Sequence, residues 1–399
     1  MTFLKHTVLF LFVFLLPTQF GKHFFLNFSY VDGVRVDYLS LVLYATDLLA
    51  IVLIVLFWRK IRKDLYKNKH FLVFLGLLTV TNILSSQYPL LAGYTALKFL
   101  EIYLVFLIFR NIKITKQAIL TPLFLGGLVE LTLSTAQFYY KHSLQGAFYY
   151  LGERFFTLST SGIATASFFD REILRPYGTF SHPNSMGGFY LLMYAFALSL
   201  KDKSYIKQGV ILVSSLLIFL SFSKVVIIIY VFITALSLVP QLFKKKCLPC
   251  LIGRMTVIFF VSAMFLQTHA DPLSLEKRVR LIQESIIIFK QNILLGTGFG
   301  HHLFAHAQFP NPYPHFFLQP VHNIFVLFIM QAGLVISAFV AIPIIKYARN
   351  LRKNKLYAVL LVIILTGFVD HYWLTLQQNM LLLGVVFGII KNSKIFSER

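Results

Sequence analysis

Residues 39–58 read Leu-Ser-Leu-Val-Leu-Tyr-Ala-Thr-Asp-Leu-Leu-Ala-Ile-Val-Leu-Ile-Val-Leu-Phe-Trp, and Arg59-Lys60-Ile61-Arg62-Lys63 follows at once. A bilayer core needs about 20 mainly apolar residues per helix. A run of that length closed by a basic cluster reads as a membrane span with its cytoplasmic stop. Val225–Phe243 repeats the pattern and ends in Lys244-Lys245-Lys246. Composition agrees, with 57% hydrophobic and 13% charged residues; soluble domains carry about 25% charged. The 43 Phe and 20 Tyr add bulk that a water-facing surface could not hide.

Working outward, the hydropathy reads as about twelve spans, centred near residues 14, 48, 78, 101, 127, 192, 215, 233, 260, 334, 364 and 384. The expectation is an all-α, polytopic membrane protein, one integral-membrane domain over 1–399. The net charge of +22 would suggest nucleic acid in a soluble protein, but the placement of the charges argues for a bilayer instead. The segments on the same side as both termini hold 25 of the 37 Lys and Arg. Basic residues stay cytoplasmic, so both termini are expected inside. Thr7–Leu16 follows Lys5 like a signal peptide but lacks a small-residue cleavage site, and is kept as the first span. Cys247 and Cys250 lack a second ligand pair nearby, so zinc is not expected there.

On this topology the notable outer loops are about 21–38, 138–183 and 269–321, the last just before span ten. The two longer ones exceed ordinary connections, yet they are rich in aromatic and apolar residues, unlike disordered linkers. Leu281–Phe289 reads as a helical stretch at the interface. Gly296-Thr-Gly298-Phe-Gly300 permits a tight turn, and no βαβ pattern supports a nucleotide site there. Of twelve histidines, only His6 and His70 fall inside, while His301, His302, His306, His315 and His322 cluster in 22 residues. No Asp or Glu lies between residues 285 and 369, and the spacing matches no metal motif, so no metal is expected.

Two outer segments bring cations to the membrane–water boundary. One is Arg175-Pro-Tyr-Gly-Thr-Phe-Ser-His182-Pro183-Asn184; the other runs from Arg278-Val-Arg280 through the glycine turn to His322-Asn323. Arginine's planar fork suits diphosphate oxygens, and a helix start adds free N–H donors. Asp370-His371-Tyr372 closes span eleven on the same side, and an ionisable residue at that depth is a functional candidate by default.

The segment Arg175–Asn184, the Gly296–Gly300 turn, and His322-Asn323 with Gly333 after nine intervening residues resemble the O-antigen ligase and polymerase superfamily. The resemblance covers nearly the whole chain as architecture. It implies a metal-independent, cofactor-free glycosyltransferase in a bacterial plasma membrane, with its site on the extracytoplasmic side. Such an enzyme takes a glycan from undecaprenyl diphosphate and joins it to a sugar hydroxyl of an acceptor glycan or glycolipid. By the same resemblance His322 is the catalytic residue, and Arg175 and Arg278, with Arg280 as understudy, contact the diphosphate. His182, Asn184, Asn323, Asp370 and His371 are candidate substrate-binding residues. Ile336 stands where the ligase motif has Gly, Thr or Tyr, which favours the broader superfamily over its ligase branch.

Each of these residues also has a plain structural use. The arginines can anchor to lipid phosphates, and His182 or Asn184 can cap span six, with Pro183 as first helical residue. A transporter or flippase for polar or lipid-linked substrates is the rival from another class; it predicts broken helices and ionisable groups at the midplane. A non-catalytic scaffold would make the Arg and His substitutions silent.

Overall fold

A computed structural model describes residues 2–168, 171–242, 248–266, 272–310, 318–353 and 356–392. His315 and Cys247 lie outside the described residues. The chain is mostly helical: α1 Thr2–Phe14, α2 Ala45–Lys67, α3 Lys69–Ser85, α4 Pro89–Asn111, α5 Lys116–Tyr140, α6 Pro183–Ser199, α7 Tyr205–Leu220, α8 Lys224–Leu242 and α9 Leu248–Leu266. After these come α10 Pro272–Gln291, α11 His302–Ala307, α12 Ile324–Lys353, α13 Tyr357–Gly367, α14 Tyr372–Thr375 and α15 Gln377–Lys391. Helix starts follow local chemistry. The Thr115 and Ser204 side chains accept the first free amides of α5 and α7, as capping residues do.

Every one of the twelve span centres falls inside a helix. Membrane-crossing length is a stricter test. Among the described residues three helices are long and apolar enough to cross, Pro89–Asn111, Lys116–Tyr140 and Ile324–Arg349, and seven other apolar helices run 10–17 residues. The all-α expectation also needs amending, because three antiparallel hairpins occur between helices: β1 Gly21–Phe24 with β4 Leu41–Tyr44, β2 Tyr30–Val31 with β3 Val34–Arg35, and β5 Thr165–Phe168 with β6 Arg171–Leu174. Chain that leaves a helix must still pair its amides and carbonyls, and the hairpins do that locally. The core is a continuous apolar cluster mainly from α1, α2, α4 to α8, α13 and α15, including Phe12, Leu53, Phe109, Phe189, Phe196, Leu217, Val362 and Val385.

The carboxylates inside α2, α4 and α5 acquire partners far along the chain. Lys98 pairs with Glu101 one turn on at 3.8 Å and lies 2.5 Å from Asp47. Gln377 at the start of α15 donates to both carboxylates, so one Lys and one amide hold two acids. Glu130 accepts the Thr179 amide and hydroxyl at 3.0 and 2.6 Å. Seven residues along α5, the Gln137 side chain accepts the amides of Tyr177 and Gly178 and donates to Glu153. These buried groups fix the turn that follows Arg175.

Helix α12 is interrupted. Gly333 has φ 69° and ψ 176°, and the 293–298 turn enters the gap. Leu334 and Val335 donate to the carbonyls of Ile293 and Leu294, while Thr297 and Gly298 donate to those of Met330 and Gln331. Asn82 closes the junction, donating to Leu295 and Gln331 and accepting from Phe299. A Cβ on Gly333 would meet the Leu294 carbonyl oxygen at 2.3 Å, so both the positive φ and the close backbone approach require glycine.

Candidate active site

At one end of the bundle, the start of α6, the start of α12 and the link from α13 to α14 meet around Asp370. Its Oδ1 accepts the His371 amide at 2.8 Å and its Oδ2 accepts from Asn184 Nδ2 at 3.1 Å. Asn184 Oδ1 in turn accepts from Arg175 at 2.6 Å. The guanidinium of Arg175 also donates twice to the Ser221 carbonyl at the end of α7, at 3.1 and 3.0 Å. That carbonyl is at the negative end of a helix, a suitable seat for a cation. Arg278 donates to the carbonyl of Val369, next to Asp370, while its Nε has no partner. The two arginines lie close enough for Arg278 to act on Arg175. Burial and then that like charge hold Arg175 down at about 10, with Tyr177 opposing.

His322 Nδ1 stands 3.7 Å from Asp370 Oδ1, an ion pair once the imidazole is protonated but longer than a hydrogen bond. Its Nε2 is 3.2 Å from Gln319 Oε1. The His322 and His371 rings lie 5.1 Å apart, and Tyr38 meets His371 edge-on at 5.6 Å. Burial alone would raise the Asp370 carboxyl, but His322, by polar contact and charge, with His371 and His182 behind it, holds it far below the usual carboxylate range. Burial pushes His371 and His182 down to about 3, with the charge of Arg175 adding to the effect at His182. Both are therefore neutral near pH 7. The His371 Nδ1–H donates to Thr375 Oγ1 at 2.7 Å, because that hydroxyl gives its own proton to the His371 carbonyl.

The residues expected from the sequence thus divide. His322, Arg175, Arg278, Asn184, Asp370 and His371 converge. His182 borders them as the cap of α6: its Nδ1 accepts the Asn184 amide at 3.1 Å, with Pro183 as first helical residue. Asn323 caps α12, accepting the Phe325 and Val326 amides, and its Nδ2 reaches the Phe368 carbonyl at 3.3 Å. Arg280 is engaged elsewhere, with Glu284 at 3.0 Å and with the Pro310 carbonyl. Two residues apart on a helix is a rotation of about 200°, so Arg278 and Arg280 face opposite ways. Tyr38 and Gln319 carried no sequence signal beyond lying in outer loops.

The histidine cluster also divides. His306 sits between Glu284 and Ser285, at 3.0 and 3.1 Å, and braces α11 against α10. His301 reaches Gln87 at 3.0 Å, and His302 is buried with neither ring nitrogen paired. Among the described residues, one group of side chains could converge on a metal ion: His322, Asp370 and His371, whose ligand atoms lie within 4.8 Å of one another. Tetrahedral zinc ligands at about 2.0–2.1 Å would stand closer together than that, and the two neighbouring guanidiniums oppose a cation.

Residues 188–341 match the family model described as O-antigen ligase. Over this stretch the chain is similar to that family. No curated protein matches the chain. The O-antigen ligase stretch begins inside α6 and ends inside α12, so it contains Arg278, the glycine turn and His322. Arg175, Asn184, Asp370 and Tyr38 come from outside it.

Proposed function

We propose that the protein is a membrane glycosyltransferase that moves a glycan from undecaprenyl diphosphate to a sugar hydroxyl of an acceptor glycan or glycolipid, at the extracytoplasmic end of its helices. The observation that carries this reading is the meeting of Arg175, Arg278 and His322, from three separate segments, around one carboxylate. The family match of residues 188–341 supports it independently.

The chemistry follows from the groups present. A sugar hydroxyl is a weak nucleophile, and a neutral imidazole that takes its proton as the new bond forms contributes about 10²–10⁴ in rate. With Nδ1 turned to Asp370, Nε2 of His322 is the nitrogen for that proton, and the acceptor hydroxyl replaces Gln319 beside it. Asp370 then stabilises the imidazolium. The hydroxyl oxygen bonds to the anomeric carbon, the bond to the diphosphate oxygen breaks, and its electron pair leaves with the diphosphate. Arg175 and Arg278 meet that growing negative charge, where fixed cations help most. Attack opposite the leaving group inverts the anomeric centre.

The broken α12 is the one observation that favours a transporter, since transporters expose half-helix ends to their cargo. Here the peptide groups at the break are paired with the 293–298 turn and Asn82. They are not on offer to a cargo. The test is transfer by the purified chain in vesicles loaded with lipid-linked glycan and acceptor. Absence of product from the parent chain would sink the reading, and His322→Ala should lower product formation by about 10²–10⁴-fold. Vesicles that translocate the glycan without joining it would establish the rival.

A further inference from the structure

The first loop, between α1 and α2, brings an aromatic ring to the same cluster. Tyr38 lies in a short 3-10 turn, Asp37–Leu39, and that turn is firmly built. Its neighbours Val36 and Leu39 are buried against Leu91 of α4 and Leu303 of α11. Ser29 accepts the Val36 amide through its carbonyl and donates its hydroxyl to the Leu39 carbonyl. Tyr38 is nevertheless 39% exposed while its ring meets His371 at 5.6 Å. A rigidly seated, half-open aromatic ring two rings away from the proposed base calls for an occupant.

A cation from the second loop is tied to the segment that leads into the cluster. Glu153 is locked by Gln137 and by the amides of Leu144 and Gln145, which fixes the chain at its neighbour Arg154. Arg154 is exposed, and its Nη1 donates to the Ser181 carbonyl at 3.1 Å, in the segment that carries Arg175, His182 and Asn184. Burial and then the Asp370 charge raise the Tyr38 phenol, and the charge of Arg154 opposes them, so both charges reach the ring.

We infer that Tyr38 and Arg154 form the acceptor subsite: a pyranose ring of the acceptor lies on the exposed flank of Tyr38, and Arg154 takes a hydroxyl or acidic substituent of the same glycan. The inference rests on the transferase reading above. That reading needs the attacking hydroxyl beside His322, and the sequence of rings from Tyr38 through His371 leads there. The diphosphate of the donor belongs to the other side, with Arg175 and Arg278. An aromatic face offers its negative quadrupole to the C–H face of a sugar, and a guanidinium supplies several donors at fixed angles.

Steady-state transfer by the full chain in vesicles tests the assignment. The probe is the acceptor glycolipid fraction from cells lacking this gene, varied against a fixed excess of lipid-linked glycan. Tyr38→Ala should raise the half-saturating acceptor concentration about tenfold, the equivalent of about 1.4 kcal/mol, with the maximal rate and the donor half-saturation unchanged. Tyr38→Phe should behave as the parent, and Arg154→Ala should shift the same constant in the same direction. Unchanged acceptor half-saturation in both alanine variants overturns the subsite, as does a rise in donor half-saturation instead. Should Tyr38→Ala fail to fold by thermal unfolding, the exposed Arg154→Ala decides alone. Parent vesicles that form no product would bring down the transferase reading, whereas an active parent beside unshifted Tyr38 and Arg154 variants brings down only the subsite.

Discussion

Two carboxylate–imidazole pairs lie close along the second half of the chain, and they are finished to different degrees. Glu284 and His306 meet at 3.0 Å, Ser285 occupies the other ring nitrogen at 3.1 Å, and Arg280 occupies the other carboxylate oxygen. No side-chain oxygen or nitrogen of Glu284, Ser285 or His306 is left without a partner. Asp370 and His322 stand at 3.7 Å, with the facing ring nitrogen and Nε of Arg278 unsatisfied. Two arginines and three imidazoles surround that single carboxylate, so positive charge exceeds negative. The residue types are nearly the same; the difference is closure. A filled set of hydrogen bonds braces helices, whereas buried donors with open valences carry a standing cost that a bound anion relieves.

The contrast can be broken most sharply by paired substitutions. His322→Ala should lower transfer by about 10²–10⁴-fold, with little change in thermal unfolding. His306→Ala should leave the rate per folded molecule unchanged and instead cost about 1–3 kcal/mol of stability by orphaning Glu284 and Ser285. Turnover measurements beside unfolding curves would dissolve the contrast if the two variants behaved alike. Next in size, Arg175→Lys should lose about tenfold or more in transfer, because a single ammonium cannot reach both Asn184 and the Ser221 carbonyl. A fully active lysine variant would show that charge alone suffices there.

Acid should act through the buried imidazoles. His182 and His371 sit at about 3 in the folded protein, against about 6.5 when unfolded. The unfolded chain therefore binds more protons below about pH 6.5, and the stability these groups provide is present above that pH and falls away toward pH 3. Asp370, also depressed, adds its own loss below about pH 4. Replacing His371 with Asn should flatten the decline of stability between about pH 6.5 and 4. Unfolding curves equally steep in parent and variant would contradict this. The smallest effect is expected at Asn323: Asn323→Ala should cost about 1 kcal/mol as a lost helix cap. A larger fall in transfer than in stability would instead make Asn323 part of the site.

How much of this was legible in the sequence follows from the range of each signal. Helix positions were readable because hydropathy is local, and each expected span centre lies in a helix. Which of these helices cross a membrane was less so, since among the described residues three are long and apolar enough to do so. Arg175, Arg278 and His322 were recognisable through their motifs, yet nothing local shows that Asn184 and Asp370, 186 positions apart, join them. The same range explains why nothing local shows that Asp47, 51 positions away, joins Lys98 beside Glu101. Arg280 stood as understudy to Arg278 because closeness in sequence ignores helix rotation. Tyr38 was missed altogether: an aromatic in a loop has no signature until the loop is folded.

The gap in α12 ties the two halves of the chemistry to one another. His322 precedes the upper half of that helix, and Arg278 rides on α10, whose end runs directly into the turn stitched across the break. Base and cation thus belong to one welded frame, and their separation is set by main-chain geometry instead of by either side chain. A methyl group placed at Gly333 would pry that frame apart from a distance and detune the reaction while leaving every reacting atom in the sequence.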